Sequence, residues 1–134
     1  MNIYGFGSDL INIDRIKKII KRNDNFKKRI FTKKEILICE KKKNNYASYA
    51  KKFAGKEAFS KALGVGISKG LSFNEIEILN DSNGKPCINL KKKTKLVSQK
   101  IIKKKNFKLF ITITDEYPFA FASVIISLWL IKNY

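Results

Sequence analysis

The sequence contains no histidine among its 134 residues, and this absence excludes several kinds of active site. Neither a Ser-His-Asp triad nor a Cys-His pair can be assembled, and imidazole cannot hold a zinc ion. A general base must therefore be a carboxylate, a lysine or a metal-bound water. The two cysteines, Cys39 and Cys87, do not have the spacing of a metal-binding motif. Isolated thiols of this kind are typical of a reducing compartment, so we expect a cytoplasmic protein.

Acidic residues are scarce: 11 Asp and Glu stand against 29 Lys and Arg, which gives a formal net charge of +18. A charge of this size favours acidic partners such as nucleic acid, an anionic membrane, phosphorylated ligands or an acidic protein. The lysines are scattered along the whole chain among many Asn and Ile, a pattern that AT-rich coding sequence produces at tolerant surface positions. The charge is therefore only partly evidence of function.

Long hydrophobic runs are also lacking. The longest, residues 119–131, is shorter than a membrane-spanning helix and contains Ser123 and Ser127. The N-terminus, Met-Asn-Ile-Tyr-Gly, does not have the composition of a signal peptide. Hydrophobic residues make up 44% of the chain and can fill one core, so we expect a single soluble domain over residues 1–134.

Apolar spacing and capping signals predict four helices. The first covers residues 13–22, with isoleucines on one face, and its other face carries the basic ridge of Arg15, Lys18 and Arg22. Thr-Lys-Lys-Glu at 32–35 has the spacing of a capping box, which begins a second helix near residue 33. A central helix over 46–63, ended by Gly64, and a lysine-rich helix over 91–105 complete the set.

Alternating patterns predict five strands. The first, residues 3–9, has glycine at positions 5 and 7. Residues 71–80 and 86–90 flank Asp-Ser-Asn-Gly, which is a hairpin turn signal. Residues 107–115 and 119–130 form the closing pair, with a Tyr-Pro turn between them. This order indicates an α+β fold in which an antiparallel sheet wraps around the long central helix.

Two carboxylates stand out among the few acidic residues. Asp9 follows the glycines of the first strand, and Glu57 lies in the central helix one turn before Lys61. Two carboxylates from separate elements with a neighbouring cation suit Mg²⁺-dependent chemistry on a phosphorylated ligand. Spacing alone leaves other interpretations open. Asp9 fits a helix N-cap equally well, and Glu57 fits a surface ion pair with Lys61 worth about 0.3–0.5 kcal/mol.

Two motifs in a fixed order carry a family resemblance. Gly-Phe-Gly-Ser-Asp-Leu at 5–10, together with Arg15, matches an N-terminal motif, and Phe-Ala-Gly-Lys-Glu-Ala-Phe-Ser-Lys-Ala at 53–62 matches a helical signature. Further segments match in the same order, at 64–67, 71–73, 83–86, 112–115 and 122–126. The chain resembles the holo-[acyl-carrier-protein] synthases, short bacterial 4′-phosphopantetheinyl transferases, over nearly its whole length.

The resemblance implies a reaction and the residues that carry it out. Members of this family move 4′-phosphopantetheine from coenzyme A to a serine of apo-acyl carrier protein and release adenosine 3′,5′-bisphosphate, in fatty acid biosynthesis. By resemblance, Asp9 and Glu57 bind Mg²⁺, or alternatively Mn²⁺, and Lys61 reaches the transferred phosphate. The serine proton passes either to Glu57 or to a metal-bound water. The family assembles as a homotrimer with active sites at subunit interfaces.

The same resemblance assigns the ligand and partner surfaces. The coenzyme A cleft is lined by Lys52, Lys61, Gly64, Gly66, Lys85 and Pro86. Lys52 stands where the family often has arginine, and the glycines fit a helix end as well as a close approach to cofactor. The basic ridge docks the acidic carrier protein. The apolar closing strands, residues 119–131, suit either the trimer interface or a buried core.

A second function class also fits the charge: a basic RNA-binding or ribosome-associated module. Aromatic residues make up 12% of the chain and provide surfaces for base stacking. Against this alternative, the lysines are scattered, no RNA-recognition motif is present, and Arg is scarce relative to Lys. A binding protein that kept the fold without the chemistry is disfavoured, because both carboxylates and Lys61 are present. We therefore expect neither a nucleic-acid partner nor membrane association.

Overall fold

The longest helix of the computed structural model, α4, lies at the centre of the fold. The structure describes residues 2–129. Their elements, in chain order, are β1 (Asn2–Asn12), α1 (Ile13–Arg22), α2 (Phe26–Ile30), α3 (Lys33–Glu40), α4 (Asn45–Leu63), a 3₁₀ turn (Phe73–Glu75), β2 (Ile76–Asn80), β3 (Pro86–Leu90), α5 (Lys92–Ile102), β4 (Phe107–Glu116) and β5 (Phe119–Leu128). Among these residues, no helix combines the length and apolar character that crossing a bilayer requires. The α+β prediction is confirmed.

The strands form two antiparallel sheets around α4, where the sequence suggested one. β1, β5 and β4 lie in that order in a three-stranded sheet, and β2 pairs with β3 as a hairpin. The inner face of the larger sheet packs on α4, and alternate side chains of β5 are fully buried there: Ala120, Ala122, Val124 and Ile126. The core therefore lies between this sheet and the central helix.

Two glycines let β1 approach α4 closely. A Cβ atom at Gly5 would overlap the carbonyl oxygen of Ala62, and one at Gly7 would overlap that of Ala58. Only a residue without a side chain permits this packing. The close approach brings Asp9, two residues after Gly7, beside the second half of α4.

Helix ends follow the capping signals. At the predicted capping box, the Thr32 amide donates to Glu35 Oε1 at 2.9 Å and the Glu35 amide donates to Thr32 Oγ1 at 3.2 Å, so α3 begins at Lys33. Gly64 ends α4 with a φ of 85°, in the left-handed region that favours glycine. The N-cap of α1 is Asn12, whose side-chain oxygen accepts from the amides of Asp14 and Arg15. Asp9 lies within β1, so its interpretation as this cap is wrong.

Other boundaries differ from the sequence predictions. The strand predicted over 71–80 begins only at Ile76, because the 3₁₀ turn precedes it. The short helix α2, which has no side-chain cap bond, lies where the sequence predicts no helix. β1 continues beyond Asp9 to Asn12, since it pairs with β5 over this stretch. The last strand ends at Leu128, and residue 130 of the prediction lies outside the described residues.

Large apolar side chains cover part of the outer face of the three-stranded sheet. We call Phe6, Leu10, Phe119 and Phe121 the outer patch; all four are exposed, and Leu10 lies directly opposite Phe121 in the β1–β5 register. Monomeric soluble proteins rarely expose contiguous apolar patches of large side chains. This face therefore has the character of a contact surface.

Candidate active site

Three charged side chains meet where β1 approaches α4. Lys61 Nζ donates a hydrogen bond to Asp9 Oδ1 at 3.0 Å. Glu57 stands one helical turn before Lys61. The pKa of Glu57 is raised, first by burial and then by the negative charge of Asp9, while the charge of Lys61 acts in the opposite direction. Asp9, Glu57 and Lys61 therefore form one electrostatic unit, which we call the charged cluster.

The structure contradicts the surface ion pair that spacing left open for Glu57. Within the described residues, Lys61 forms its ion pair with Asp9 and not with Glu57, so the simple surface pair along α4 is wrong. The Asp9 side chain is only 15% exposed, whereas that of Lys61 is 54% exposed. The carboxylate is thus held in place by its surroundings, and the ammonium group remains accessible to a ligand.

The donor set of the charged cluster fits a Mg²⁺ ion. Two carboxylates from different elements lie close enough for Asp9 to raise the pKa of Glu57, so the single positive charge of Lys61 does not compensate both. Mg²⁺ is usually bound by one or two carboxylates together with water and substrate phosphate. No group of three or more His, Cys, Asp or Glu side chains suited to a metal occurs in residues 2–129. Water and ligand oxygens would therefore have to complete the coordination.

A cavity of about 140 Å³ opens beside the first half of α4. Its walls come from α4, the β2–β3 hairpin and β4: Ser48, Lys51, Lys52, Ile78, Asn80, Gly84, Pro86 and Ile113. Two of the residues predicted to line the cofactor cleft, Lys52 and Pro86, are thus brought together. Lys85 is exposed and does not line this cavity; its backbone amide donates to Asp81 Oδ1 at 2.9 Å.

Lys52 is buried, whereas a lysine that binds phosphate at a protein surface is exposed. Its residue is 7% exposed, and its Nζ donates to the carbonyl oxygen of Ile78 at 2.6 Å. Burial lowers the pKa of its ammonium group. Of the three N–H donors of the ammonium group, one is used within the fold. At most two remain for a ligand.

The two glycines after α4 leave the backbone open. A Cβ atom at Gly64 would meet nothing within 4 Å, and one at Gly66 would meet only Ser68 Oγ at 3.9 Å. Gly64 is required by its left-handed backbone, whereas packing in the described structure does not require glycine at position 66. Both positions are exposed, so a ligand can reach their backbone groups.

The basic ridge is confirmed as an exposed face of α1. Arg15, Lys18 and Arg22 line an open groove of about 600 Å³ together with the half-buried Ile19, while Ile13, Ile16 and Ile20 are buried on the other side of the helix. Within residues 2–129, none of the three cations forms an ion pair. Their charges are therefore available to an acidic partner.

Sequence reasoning missed a buried ion pair beside the site. Lys56, the residue before Glu57, lies 2.8 Å from Glu35, and both side chains are fully buried. The capping box identified Glu35 only as a residue at the start of a helix. Nothing in the sequence around Lys56 indicates that its side chain is buried. The two residues are 21 positions apart, so only the tertiary structure reveals the pair.

A family model and named relatives match the chain. The model of the 4′-phosphopantetheinyl transferase superfamily matches residues 5–122. The holo-[acyl-carrier-protein] synthase of Pelagibacter ubique is 42% identical over 126 residues, which cover 94% of this chain and 98% of the relative. That of Blochmanniella pennsylvanica is 44% identical over 125 residues, with 92% and 98% covered.

Solved structures give the same result. The holo-[acyl-carrier-protein] synthase of Neisseria meningitidis is similar with a TM-score of 0.84 and 31% identity. The match covers 95% of this chain and 100% of the Neisseria chain. The Helicobacter pylori enzyme, solved in complex with coenzyme A, is similar with a TM-score of 0.76 and 36% identity, with 91% and 99% covered. The family match covers all three residues of the charged cluster, Asp9, Glu57 and Lys61. The chain belongs to the 4′-phosphopantetheinyl transferase superfamily.

Proposed function

We propose that this chain is a holo-[acyl-carrier-protein] synthase, which transfers 4′-phosphopantetheine from coenzyme A to a serine of apo-acyl carrier protein. The single observation that carries the proposal is the charged cluster of Asp9, Glu57 and Lys61, in a chain 42% identical to a synthase over nearly its whole length. The other product is adenosine 3′,5′-bisphosphate. We place the reaction in cytoplasmic fatty acid biosynthesis, which the two free thiols of Cys39 and Cys87 suit.

The charged cluster supplies the groups that the reaction needs. Asp9 and Glu57 would hold Mg²⁺, or Mn²⁺, which when bound neutralises negative charge on the diphosphate of coenzyme A. Lys61 is exposed enough to turn from Asp9 toward a phosphate oxygen and to stabilise the charge that develops there. Glu57, the second carboxylate of the cluster, is the protein group that can accept the serine proton, with a metal-bound water as the alternative.

The bond changes follow from these roles. The serine oxygen of the carrier protein forms a bond to the phosphorus atom that bears the pantetheine arm, and its proton passes to Glu57. The bond from that phosphorus to the bridging oxygen breaks, so adenosine 3′,5′-bisphosphate leaves with the bridging oxygen. Charge stabilisation and positioning are the main contributions of a protein to phosphoryl transfer.

The cavity beside α4 suits the nucleotide end of coenzyme A. Lys52 and Pro86 line it, and the residue before Pro86, Lys85, is exposed. Nine residues of α4, a rise of about 13 Å, separate Lys52 from Lys61. Coenzyme A is an extended ligand that can span this distance and also pass the open backbone at Gly64 and Gly66.

Two protein surfaces complete the proposal. The basic ridge on α1 offers unpaired cations to the acidic carrier protein, where complementary charge raises the rate of encounter and sets the register. The outer patch of the three-stranded sheet supports a homotrimer, because a second and third copy would cover its exposed apolar side chains.

The decisive experiment combines the protein with coenzyme A, Mg²⁺ and apo-acyl carrier protein, and weighs the carrier by mass spectrometry. We expect the carrier to gain one phosphopantetheine group and the gain to disappear with EDTA. Asp9→Ala and Glu57→Ala should abolish transfer, while Asp24→Asn, which changes an exposed carboxylate outside the charged cluster, should retain it. No gain on several apo carriers would refute the proposal. Tight RNA binding without transfer would favour the RNA-binding alternative.

A further inference from the structure

Two lysines of α4 hold the outer edge of β2. Lys52 Nζ donates to the carbonyl oxygen of Ile78 at 2.6 Å, and Lys56 Nζ donates to that of Ile76 at 2.5 Å. The two lysines are one helical turn apart, a rise of about 6 Å, and the two carbonyls are two strand residues apart, about 6.6 Å. Because these spacings match, one helix can donate to alternate carbonyls on the edge of β2 that does not pair with β3. We call this arrangement the lysine ladder.

Glu35 of α3 completes the attachment. Its Oε1 accepts from Lys56 Nζ at 2.8 Å and from the Thr32 amide at 2.9 Å, and its Oε2 accepts from the Ile78 amide at 3.0 Å. The third donor of Lys56 is directed at the carbonyl oxygen of Phe73, at 2.8 Å. All three N–H groups of Lys56 therefore have partners within the protein, and this one side chain joins α4 to α3, to the 3₁₀ turn and to β2.

Stability alone does not account for such a pair. Removing two charges from water costs several kcal/mol per ion, and apolar residues of similar volume often give equal or greater stability. The cost is visible here, since burial lowers the pKa of Lys56. Hydrogen bonds constrain the angle and distance between the groups they join, whereas the hydrophobic effect is non-directional. An apolar contact in place of this pair would therefore not fix the relative orientation of the two elements.

The elements joined by Lys56 carry both parts of the proposed site. Glu57 is the next residue of α4, so the helix rotation that satisfies Lys56 also sets the direction of Glu57. The β2–β3 hairpin carries Pro86 to the wall of the cavity that Lys52 lines. Gly55 lies against the same strand, where an added Cβ atom would overlap the terminal methyl of Ile78.

We propose that Lys56, together with Glu35, is a positioning residue for phosphopantetheinyl transfer, which fixes the Glu57 carboxylate and the hairpin wall of the coenzyme A cavity in one relative arrangement. This inference rests on the proposed function. Lys56 does not contact substrate in this role, because its donors are all used within the fold. Its effect reaches the reaction through the geometry of α4 and β2.

The test uses Lys56→Arg, which keeps the charge but replaces the ammonium group with a longer, planar guanidinium that cannot reproduce the three bonds. The matched control is Lys93→Arg, at an exposed position of α5. At a temperature where both variants are fully folded, we expect kcat of Lys56→Arg to fall between about tenfold and a hundredfold, as misplaced reacting groups require. Calorimetry without carrier protein should show weaker coenzyme A binding, while KM for the carrier and all constants of Lys93→Arg stay unchanged.

Glu35→Gln provides a second variant if Lys56→Arg does not fold, and the same fall in kcat is expected. An unchanged kcat in either folded variant would overturn the inference. A fall in activity that equals the fall in the folded fraction of the variant would also overturn it. If the unaltered chain transfers no phosphopantetheine, the proposed function fails instead. Coenzyme A binding compared between the unaltered chain and Lys56→Arg then still decides whether Lys56 positions the cavity wall: weaker binding supports the inference and equal binding overturns it.

Discussion

Glu57 is a carboxylate that the fold disfavours in its charged form. Burial raises its pKa first, and the nearby charge of Asp9 raises it further. A carboxyl whose pKa is higher in the folded than in the unfolded state contributes stability while it is protonated. That contribution is fully present below the unfolded pKa of about 4.3 and is lost as the pH rises through the folded pKa. At neutral pH the metal-free protein therefore carries an unfavourable charge at this position.

Glu57→Gln should raise the melting temperature of the metal-free protein at neutral pH, because glutamine resembles the protonated carboxyl. The gain should shrink as the pH falls toward about 4, where Glu57 is protonated in both the folded and the unfolded chain. Thermal denaturation followed by circular dichroism in EDTA measures both effects. Asp24→Asn, at an exposed carboxylate, should show no such pH-dependent gain. A lower melting temperature for Glu57→Gln at every pH would contradict the unfavourable pairing.

Gly7 has a steric role that can be measured separately from catalysis. Gly7→Ala should reduce the free energy of unfolding by about 1–3 kcal/mol, the usual cost of overpacking, because its Cβ would overlap the backbone of α4. Urea denaturation is the appropriate measurement. Gly66→Ala serves as the control and should change stability by less than about 0.5 kcal/mol, since space is open there. Equal losses for both variants would show that the close approach of β1 to α4 is not what requires Gly7.

At the level of elements, α1 is a helix with one buried face and one face of unpaired cations. Reversing two charges of the basic ridge, in Arg15→Glu with Arg22→Glu, should raise KM for the carrier protein and leave KM for coenzyme A unchanged. Long-range attraction between the two proteins is lost, so the rise should be largest at low salt. Steady-state kinetics over a range of salt concentrations gives both constants.

The matched control for the basic ridge reverses two exposed lysines of α5, in Lys93→Glu with Lys100→Glu. This double variant has the same net charge as the ridge variant. If both raise KM for the carrier equally, overall charge and not the basic ridge directs the encounter.

Local signals in the sequence were sufficient for some elements and not for others. The capping box at Thr32 and the stop at Gly64 are contained in a few neighbouring residues, so α3 and the end of α4 could be predicted. The strand predicted over 71–80 was wrong in its first half, where the carbonyl of Phe73 turns toward Lys56 from another element. The short helix α2 has no capping bond that a pattern could reveal.

The candidate site shows the same division. Spacing identified Glu57 and Lys61 as neighbours on α4. It could not exclude Asp9 as a helix cap, a position that Asn12 occupies in the structure. Proximity of Asp9 to α4 depends on how β1 packs, which no local pattern states. The roles of Lys52 and Lys56 as anchors of β2 were invisible, because both partners are backbone carbonyls of a distant strand.

At the level of the whole molecule, the outer patch is the surface on which the proposed homotrimer can be tested. Phe6→Asp should reduce the molecular mass measured by sedimentation from three times the chain mass of 15.4 kDa to a single chain, because a charge would be placed in an apolar contact. Transfer activity should fall with it if active sites lie between subunits. Leu96→Asp is a close control, since Leu96 is 60% exposed and Phe6 is 64% exposed, but Leu96 lies on α5. Dissociation by both variants, or by neither, would argue against the patch as the interface.

The order of the strands also determines when the site can form during synthesis. β1 carries Asp9, yet its backbone partner is β5, which follows all the other described strands in the sequence. Glu57 on α4 is synthesised between them. Asp9 therefore lacks its sheet partner until β5 has also been synthesised. A chain that ends before β5 contains Asp9, Glu57 and Lys61 but lacks the strand that pairs with β1 and holds Asp9 opposite Ala122, so the charged cluster can form only once β5 is present.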